Sequence, residues 1–496
     1  MISPAVPDSR RLSAATLADL PQEVAVPDYD RAGTRIGIVH FGPGAFHRAH
    51  QAAYIDALLG SDPDWAISAV SLHSAGVRDA LRPQDGLYTL ALLGQAPQLR
   101  VIGAIREVLC ARDEGHAVLE RLADPQVRLV TLTITEKGYC LSADGVDASH
   151  PDIVRDLATP DVPVSAIGWL AAGLRLRRDR GLAPYTVLSC DNLADNGGRL
   201  RRAVLDYTRR LDPELAAWIE REAAFPRSMV DSITPATDDA LRAQVAMGLG
   251  VADAWPVQRE PYTQWVVEDD FRNGRPPLER VGVTLSGDIA GYDRAKLRLL
   301  NAPHSALAYL GALMEIETVA DAMREPALAG FVERLMREDI APSLALPQGF
   351  DPDAYVDAIL ARFRNPAIRH LLLQIAWDGS QKLPVRLLGT LADALAAGRS
   401  IDRLCLPVAG WMHFVRRQAR RDVALVDPLA ETLAGIDHSA DADAARDVDA
   451  FLRLDAVFAP LSADARFADA LRRAYATLGD ATPAAVARAL AGAESR

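Results

Sequence analysis

One stretch limits the possible folds more than any other. The apolar run "RIGIVHFG", residues 35–42, ends in glycine, and Pro43, Gly44 and the helically spaced "AFHRAHQAAYIDALLG" follow at once. A buried strand, a tight turn and an amphipathic helix stopped by Gly60 are the expected elements. Gly42 suits the sharp turn out of the strand, and Gly44 lets backbone come close to a pyrophosphate. These are the first two glycines of a G-x-G-x-x-G loop, whose third position here is His47. With a strand before it and a helix after it, the pattern predicts a nucleotide-binding loop. Gly42, Gly44, Ala45, Phe46, His47 and Arg48 are its candidate cofactor-binding residues.

His47 and Arg48 stand where small residues are usual, and two readings stay open. They pack as a polar first helical turn that hydrogen-bonds the loop, or they place donors near the cofactor phosphates. His47 and His50 share a helix face, but no third ligand lies nearby in the sequence, so no metal site is expected. An acidic residue should close the second strand and hold the ribose hydroxyls. The second strand candidate, "WAISAVSL", is followed by His73 and Ser74 instead. The loop therefore does not choose between NAD and NADP.

"LRVIGAIREVL", "VRLVTLTIT" and "YTVLSCDN" are further strand candidates, and "AIGWLAAGLRLRRDRG" is a helix with a glycine stop. Strands alternating with helices predict a parallel sheet with helical cover. The pattern changes between Gly287 and Gly291. From Tyr292 onward Ala, Leu and Arg recur at helical spacing, as in "ALAGFVERLMREDIA" and "AYVDAILARF". A chain of 496 residues exceeds what one core usually serves. The expected architecture is an α/β domain over 1–288 and a mostly α-helical domain over 289–496.

A net charge of −12 argues against nucleic acid or an anionic membrane as partner. Cys110, Cys140, Cys190 and Cys405 are far apart, which reads as reduced thiols rather than a zinc site or disulfides. No apolar run spans a bilayer, and the first twenty residues lack the core of a signal peptide. A cytoplasmic protein acting on a small molecule is expected, as a monomer, with a dimer as the alternative.

Polar residues cluster in three segments. "TITEKGYC" supplies Glu136, which joins the cofactor set, with Lys137 and Tyr139. "LSCDNLADNG" supplies Asp191, Asn192 and Asn196. Strand ends of an open sheet collect ligands, although Asp and Asn also cap helices. Capping is the reading for Asn196, whereas for Asn192 both readings stand. In "YDRAKLRLLNAPHSALAYLG", helical spacing puts Lys296, Asn301 and His304 within an arc of roughly 140°. Pro303 should bend that helix. Alcohol oxidation needs a base for the hydroxyl proton and neutral donors for the oxygen. Lys296 as base, with Asn192 and Asn301 as donors, meets that need. A solvated helix face is the alternative.

These motifs, together with "MVDSITPAT" and "EPYTQWVVEDDF", resemble the mannitol dehydrogenase family of polyol-specific long-chain dehydrogenases, from about Arg35 to the region of Trp411. The resemblance implies a Rossmann-type N-terminal domain, a helical C-terminal domain and an active site between them. It implies NAD-preferring, metal-independent chemistry with Lys296 as base, Asn192 and Asn301 on the substrate oxygen, His304 in the active site and Asp231 on the substrate. "FRNPAIRHLLLQIAWDGSQKLPVRLL" resembles the sugar-acid branch of the family, which interconverts D-mannonate and D-fructuronate. Gln374 stands where many polyol-oxidising relatives carry arginine, and Asp293 stands where close relatives carry glutamate. Lys382 and Arg369 are the candidate partners of a substrate carboxylate, with a solvated basic face as the equal alternative. Pro384 is expected to end the helix holding Lys382. The rivals are a mannitol or arabinitol 2-dehydrogenase and a nucleotide-sensing protein without turnover.

Overall fold

A computed structural model describes residues 10–94, 98–142, 145–436 and 444–493. The chain divides into two compact units, Met1–Ala290 and Gly291–Arg496.

The first unit is organised by a parallel sheet of β1 (Ile36–Phe41), β2 (Ala66–Ser71), β3 (Ile105–Cys110), β4 (Leu129–Leu132) and β5 (Thr186–Ser189). Their order across the sheet is β3-β2-β1-β4-β5, with parallel pairing throughout. That is a doubly wound arrangement, and it reverses direction between β1 and β4. Both faces are covered, which is why the strands read as continuous apolar runs instead of alternating. Val39, Phe41 and Val130 face one core, while Ile38, Ile67 and Leu129 face the other.

Several elements depart from the sequence expectations. The single strand expected over "LRVIGAIREVL" is two. Gln98–Ile102 pairs antiparallel with Tyr88–Leu92, and β3 joins the main sheet. Gly103 separates them, with its N–H donated to Asp56 and its carbonyl held by Arg31 Nε. The helix expected after Gly44 is also two, α1 (Ala45–Ala49) and α2 (Gln51–Leu58), broken at His50 with φ −115° and ψ −88°. A second sheet, unanticipated, joins Ser228–Asp231, Gln264–Val267 and Thr284–Leu285. Asp231 there lies opposite Gln264.

In the second unit the named elements are all helical among the described residues. Its centre is Ala302–Leu313, every residue of which is buried. Six residues before it, Lys296–Asn301, form a π-helical turn, and Leu335–Ile340 and Pro384–Leu388 form two more. The Lys296–Asn301 turn packs against both of the others. Pro384 does not end its helix. It opens a π turn between Gly379–Leu383 and Gly389–Ala396. A π turn's wider i→i+5 pattern accommodates the missing N–H and the ring within one continuous helix.

Candidate active site

The loop after β1 is a tight turn fixed by Gly42. Its φ is +87°, and a Cβ there would lie 2.2 Å from the Thr133 carbonyl oxygen. Its N–H donates to Val70, so the loop is tied to the end of β2. At Gly44 a Cβ would meet only the Gly42 oxygen at 3.9 Å, which leaves the backbone open to a ligand. These two positions, at the reversal point of the sheet, fit a dinucleotide pyrophosphate.

The absent third glycine has a structural explanation. That position normally lets helix and strand pack closely. Here His47 of α1 stacks flat on His40 of β1, with ring centres 3.3 Å apart and planes 8° apart. His40 is held by Thr131 and Thr133. Burial pushes its imidazole down to about 3, and it pushes His47 well below the ordinary range too, helped by His40 and Arg48. Two neutral rings thus fill the space between helix and strand.

Arg48 is buried as well. Its Nε donates to the Pro43 carbonyl at 3.2 Å and Nη1 to the Trp255 carbonyl. The guanidinium lies 5.4 Å from the centres of both the Tyr88 and Trp255 rings. The reading that His47 and Arg48 point donors at phosphates gives way to the alternative: both face inward, and Arg48 shapes the loop by its carbonyl. His50 Nε2 meets the Gln264 carbonyl at 3.0 Å. Phe46 stacks on His50.

After β4 the chain enters the short turn Glu136–Tyr139, where the Glu136 side chain is exposed. Thr135 precedes it with φ +65° and ψ 162°, a region L-residues avoid. Asp191 holds this strained segment. It accepts from the N–H groups of Ile134 and Thr135 at 2.9 and 3.1 Å, and from the Tyr139 hydroxyl at 2.6 Å. Burial raises the Asp191 pKa, against the pull of those donors. Asp191 is therefore a brace between the loops after β4 and β5, a role its sequence position did not reveal.

Asn192 is exposed beside it. Asn196 is buried and opens the helix Asn196–Leu211; its amide donates to the carbonyls of Ser189, Asp191 and Ser228, and its oxygen accepts from Ser228 N–H. That interlock sets the Asn192 loop alongside the strand ending in Asp231, which is buried.

In the second unit, Lys296 opens the π turn and Asn301 closes it. Arg386, from the Pro384–Leu388 turn, donates to the Asn301 carbonyl at 3.4 Å and to Ser305 Oγ at 3.2 Å. His304 is buried one turn on, 4.5 Å from the Phe363 ring and 5.2 Å from the His370 ring. Burial, then His370, Arg362 and Arg386, hold its pKa well below 6.5. It is a neutral imidazole at physiological pH, suited to hydrogen bonding rather than to carrying charge. Its Nε2 is buried with no hydrogen-bond partner among the described residues.

The two carboxylate candidates separate. Arg369 pairs with Glu317 at the surface, both side chains largely exposed, so it is a solvated basic group. Lys382 is partly buried, donates to the Ile375 carbonyl at 3.3 Å and lies 3.9 Å from Asp378. Burial and the nearby Arg386 lower its pKa. Arg386 itself was not singled out in the sequence, although Pro384, which opens a π turn, and Pro303, just after another, mark the region where it acts.

Residues 36–280 match the mannitol dehydrogenase Rossmann domain, and residues 288–479 match the mannitol dehydrogenase C-terminal domain. The chain is 42% identical to the D-mannonate oxidoreductase of Escherichia coli K12, over 93% of this chain and 97% of that one. It is 43% identical to a mannitol 2-dehydrogenase of Cereibacter sphaeroides, over 80% of this chain and 84% of that one. Among solved structures, the Pseudomonas fluorescens mannitol 2-dehydrogenase in ternary complex with NAD and D-mannitol superimposes with a TM-score of 0.78, at 38% identity, covering 98% of this chain and 100% of that one.

Proposed function

This chain belongs to the mannitol dehydrogenase family and is a dehydrogenase of a polyol or sugar acid; we propose that it interconverts D-mannonate and D-fructuronate with NAD. The observation that carries the choice of a sugar acid is the pair of cations Lys382 and Arg386. Both are partly buried next to the turn that ends in Asn301, and burial, then the nearby Arg386, lowers the lysine's pKa. Asp378, 3.9 Å from Lys382, and Asp427 offset part of the lysine's charge, and the second cation, Arg386, favours an anionic substrate over a neutral one.

Bound NAD supplies the hydride acceptor. Gly42 and Gly44 leave backbone open to its pyrophosphate, with Ala45 and Phe46 opening the helix beyond and Glu136 at the neighbouring strand end. Lys296 takes the proton of the reacting hydroxyl. Asn192 and Asn301 donate their amides to the oxygen as charge develops on it, and they do not compete for the proton. His304, neutral, adds a further hydrogen bond to the substrate. Asp231 accepts from a substrate hydroxyl, and Lys382 meets the carboxylate.

The test is NADH oxidation with D-fructuronate and with D-fructose, side by side. A larger kcat/KM for fructuronate is expected. A preference for fructose would make the protein a mannitol-type 2-dehydrogenase, a reading that the mannitol 2-dehydrogenase relatives favour. Repeating the assay with NADPH tests the cofactor.

A further inference from the structure

Beyond the reaction, one cluster in the first unit has no part in the chemistry above. Cys140 Sγ, a ring nitrogen of His150 and a carboxylate oxygen of Asp152 all lie within 4.8 Å of one another. In the sequence these residues are separated by a loop and show no motif. The fold gathers them. Cys140 ends the Glu136–Tyr139 turn in a left-handed conformation, φ +49°. The chain returns through the antiparallel bridge between Leu141 and Val146, and Asp147 N–H donates to the Cys140 carbonyl at 2.8 Å. His150 N–H then donates to the Asp147 carbonyl at 3.0 Å, and His150 is the N-cap of Pro151–Ala158, with Asp152 in its first turn. Backbone hydrogen bonds therefore fix both sides of the cluster.

We infer that Cys140, His150 and Asp152 form a binding site for a thiophilic divalent cation of the zinc class. A sulfur, an imidazole nitrogen and a carboxylate oxygen are the donors such an ion takes, and three protein ligands leave a fourth position to water. Magnesium and calcium, which prefer all-oxygen sites, do not suit this set. With metal–ligand distances of about 2.0–2.3 Å, tetrahedral ligands stand roughly 3.3–3.6 Å apart. From separations of up to 4.8 Å, the ligands close by at most about 1.2–1.5 Å of side-chain movement, which half-buried His150 and Asp152 permit. On binding, the Sγ–H bond breaks, an Sγ–metal bond forms and the proton goes to solvent. No oxidant or reductant is needed. Occupancy would anchor the residue next to Tyr139, whose hydroxyl is bonded to Asp191, and so stiffen the loop after β4.

The full-length chain, freed of metal with a chelator, is titrated with CoCl2 and with ZnCl2. The expected result is one cobalt per chain with sulfur-to-cobalt charge-transfer absorption, displaced by zinc, and a Tm that rises to saturation with zinc. Cys140→Ser should remove the charge-transfer band and weaken zinc roughly 100-fold or more. His150→Asn keeps an N-cap acceptor, so it folds even if the cysteine variant does not, and it should weaken zinc at least about ten-fold. Absence of the cobalt band in the wild type, or His150→Asn binding zinc as tightly as the wild type, overturns the assignment.

Discussion

Replacing Arg48 with methionine distinguishes a residue that shapes the nucleotide loop from one that touches the cofactor. Methionine keeps an apolar chain against the Tyr88 and Trp255 rings but removes both donors. The Pro43 and Trp255 carbonyls lose their bonds to Arg48. A hydrogen bond from a charged group contributes about 1.5–3 kcal/mol. Against the two bonds stands the cost of keeping a guanidinium in the interior, where burial pulls its pKa down to about 10. The net loss should be about 2–4 kcal/mol. At about 2–4 °C per kcal/mol for a domain of this class, Tm should fall by roughly 5–15 °C. Releasing the Pro43 carbonyl also lets the loop relax, so KM for NADH should rise more than KM for the sugar. Thermal unfolding with and without NADH, together with both KM values, reads all of this out. A Tm within about 1 °C of the wild type and a raised KM for NADH alone would refute the reasoning. The guanidinium would then be acting on the cofactor directly.

Three further outcomes follow from the same geometry. His40 and His47 are held neutral by burial, so their contribution to stability is complete above the unfolded-state value near 6.5 and is lost as pH falls toward the folded-state value, about 3 for His40. Each costs about 1.4 kcal/mol per pH unit in that window, and His47→Phe, which keeps a stacked ring, should flatten the urea-midpoint profile below pH 6.5; an unchanged slope would place the acid sensitivity elsewhere. Lys296→Ala should abolish turnover while NADH still binds by fluorescence, and a near-wild-type kcat across pH would remove the lysine from the base role. Lys382→Met should lower kcat/KM for fructuronate roughly ten- to a thousand-fold and for fructose much less; equal losses would assign Lys382 to the fold.

The sequence made the parallel sheet legible because its strands are buried on both faces and so appear as unbroken apolar runs. Gly42 was legible for a similar reason: only glycine serves at a φ of +87° so close to a neighbouring carbonyl. What stayed hidden depends on contacts between distant segments. No local pattern says that His47 stacks on His40, or that Asp191 bonds a loop 56 residues upstream. Polar residues in a loop read alike whether they face solvent, a ligand or the core, which is why Arg48 and Arg369 drew functional readings that their partners do not support. The strand Ser228–Asp231 was missed because four residues carry too short a period to stand out. The Cys140 cluster was missed because its members converge through a turn and a helix cap, not through regular spacing.

The π turn at Lys296 changes the chemistry that the sequence allows. On a regular α-helix, residues five apart point about 140° away from each other. A base and an oxygen-holding amide so placed would address different volumes. The π turn's bonding pattern runs from residue i to i+5, and Lys296 and Asn301 are its first and last residues. Keeping that turn has a cost, since π geometry is rare in helices. Its support is visible in the surrounding helices. Two other π turns pack against it. Arg386 fixes the Asn301 carbonyl, and Pro303 denies the following helix an N–H that would favour the regular register. Arg386 is thus tied to the turn that carries Lys296, the proposed base, and also acts on Lys382. Under the proposed function, the part of this unit assigned to a charged substrate is the same part that carries the proposed catalytic pair, Lys296 and Asn301. A substitution at Arg386 should therefore perturb recognition and turnover together, whereas one at Lys382 should perturb recognition alone.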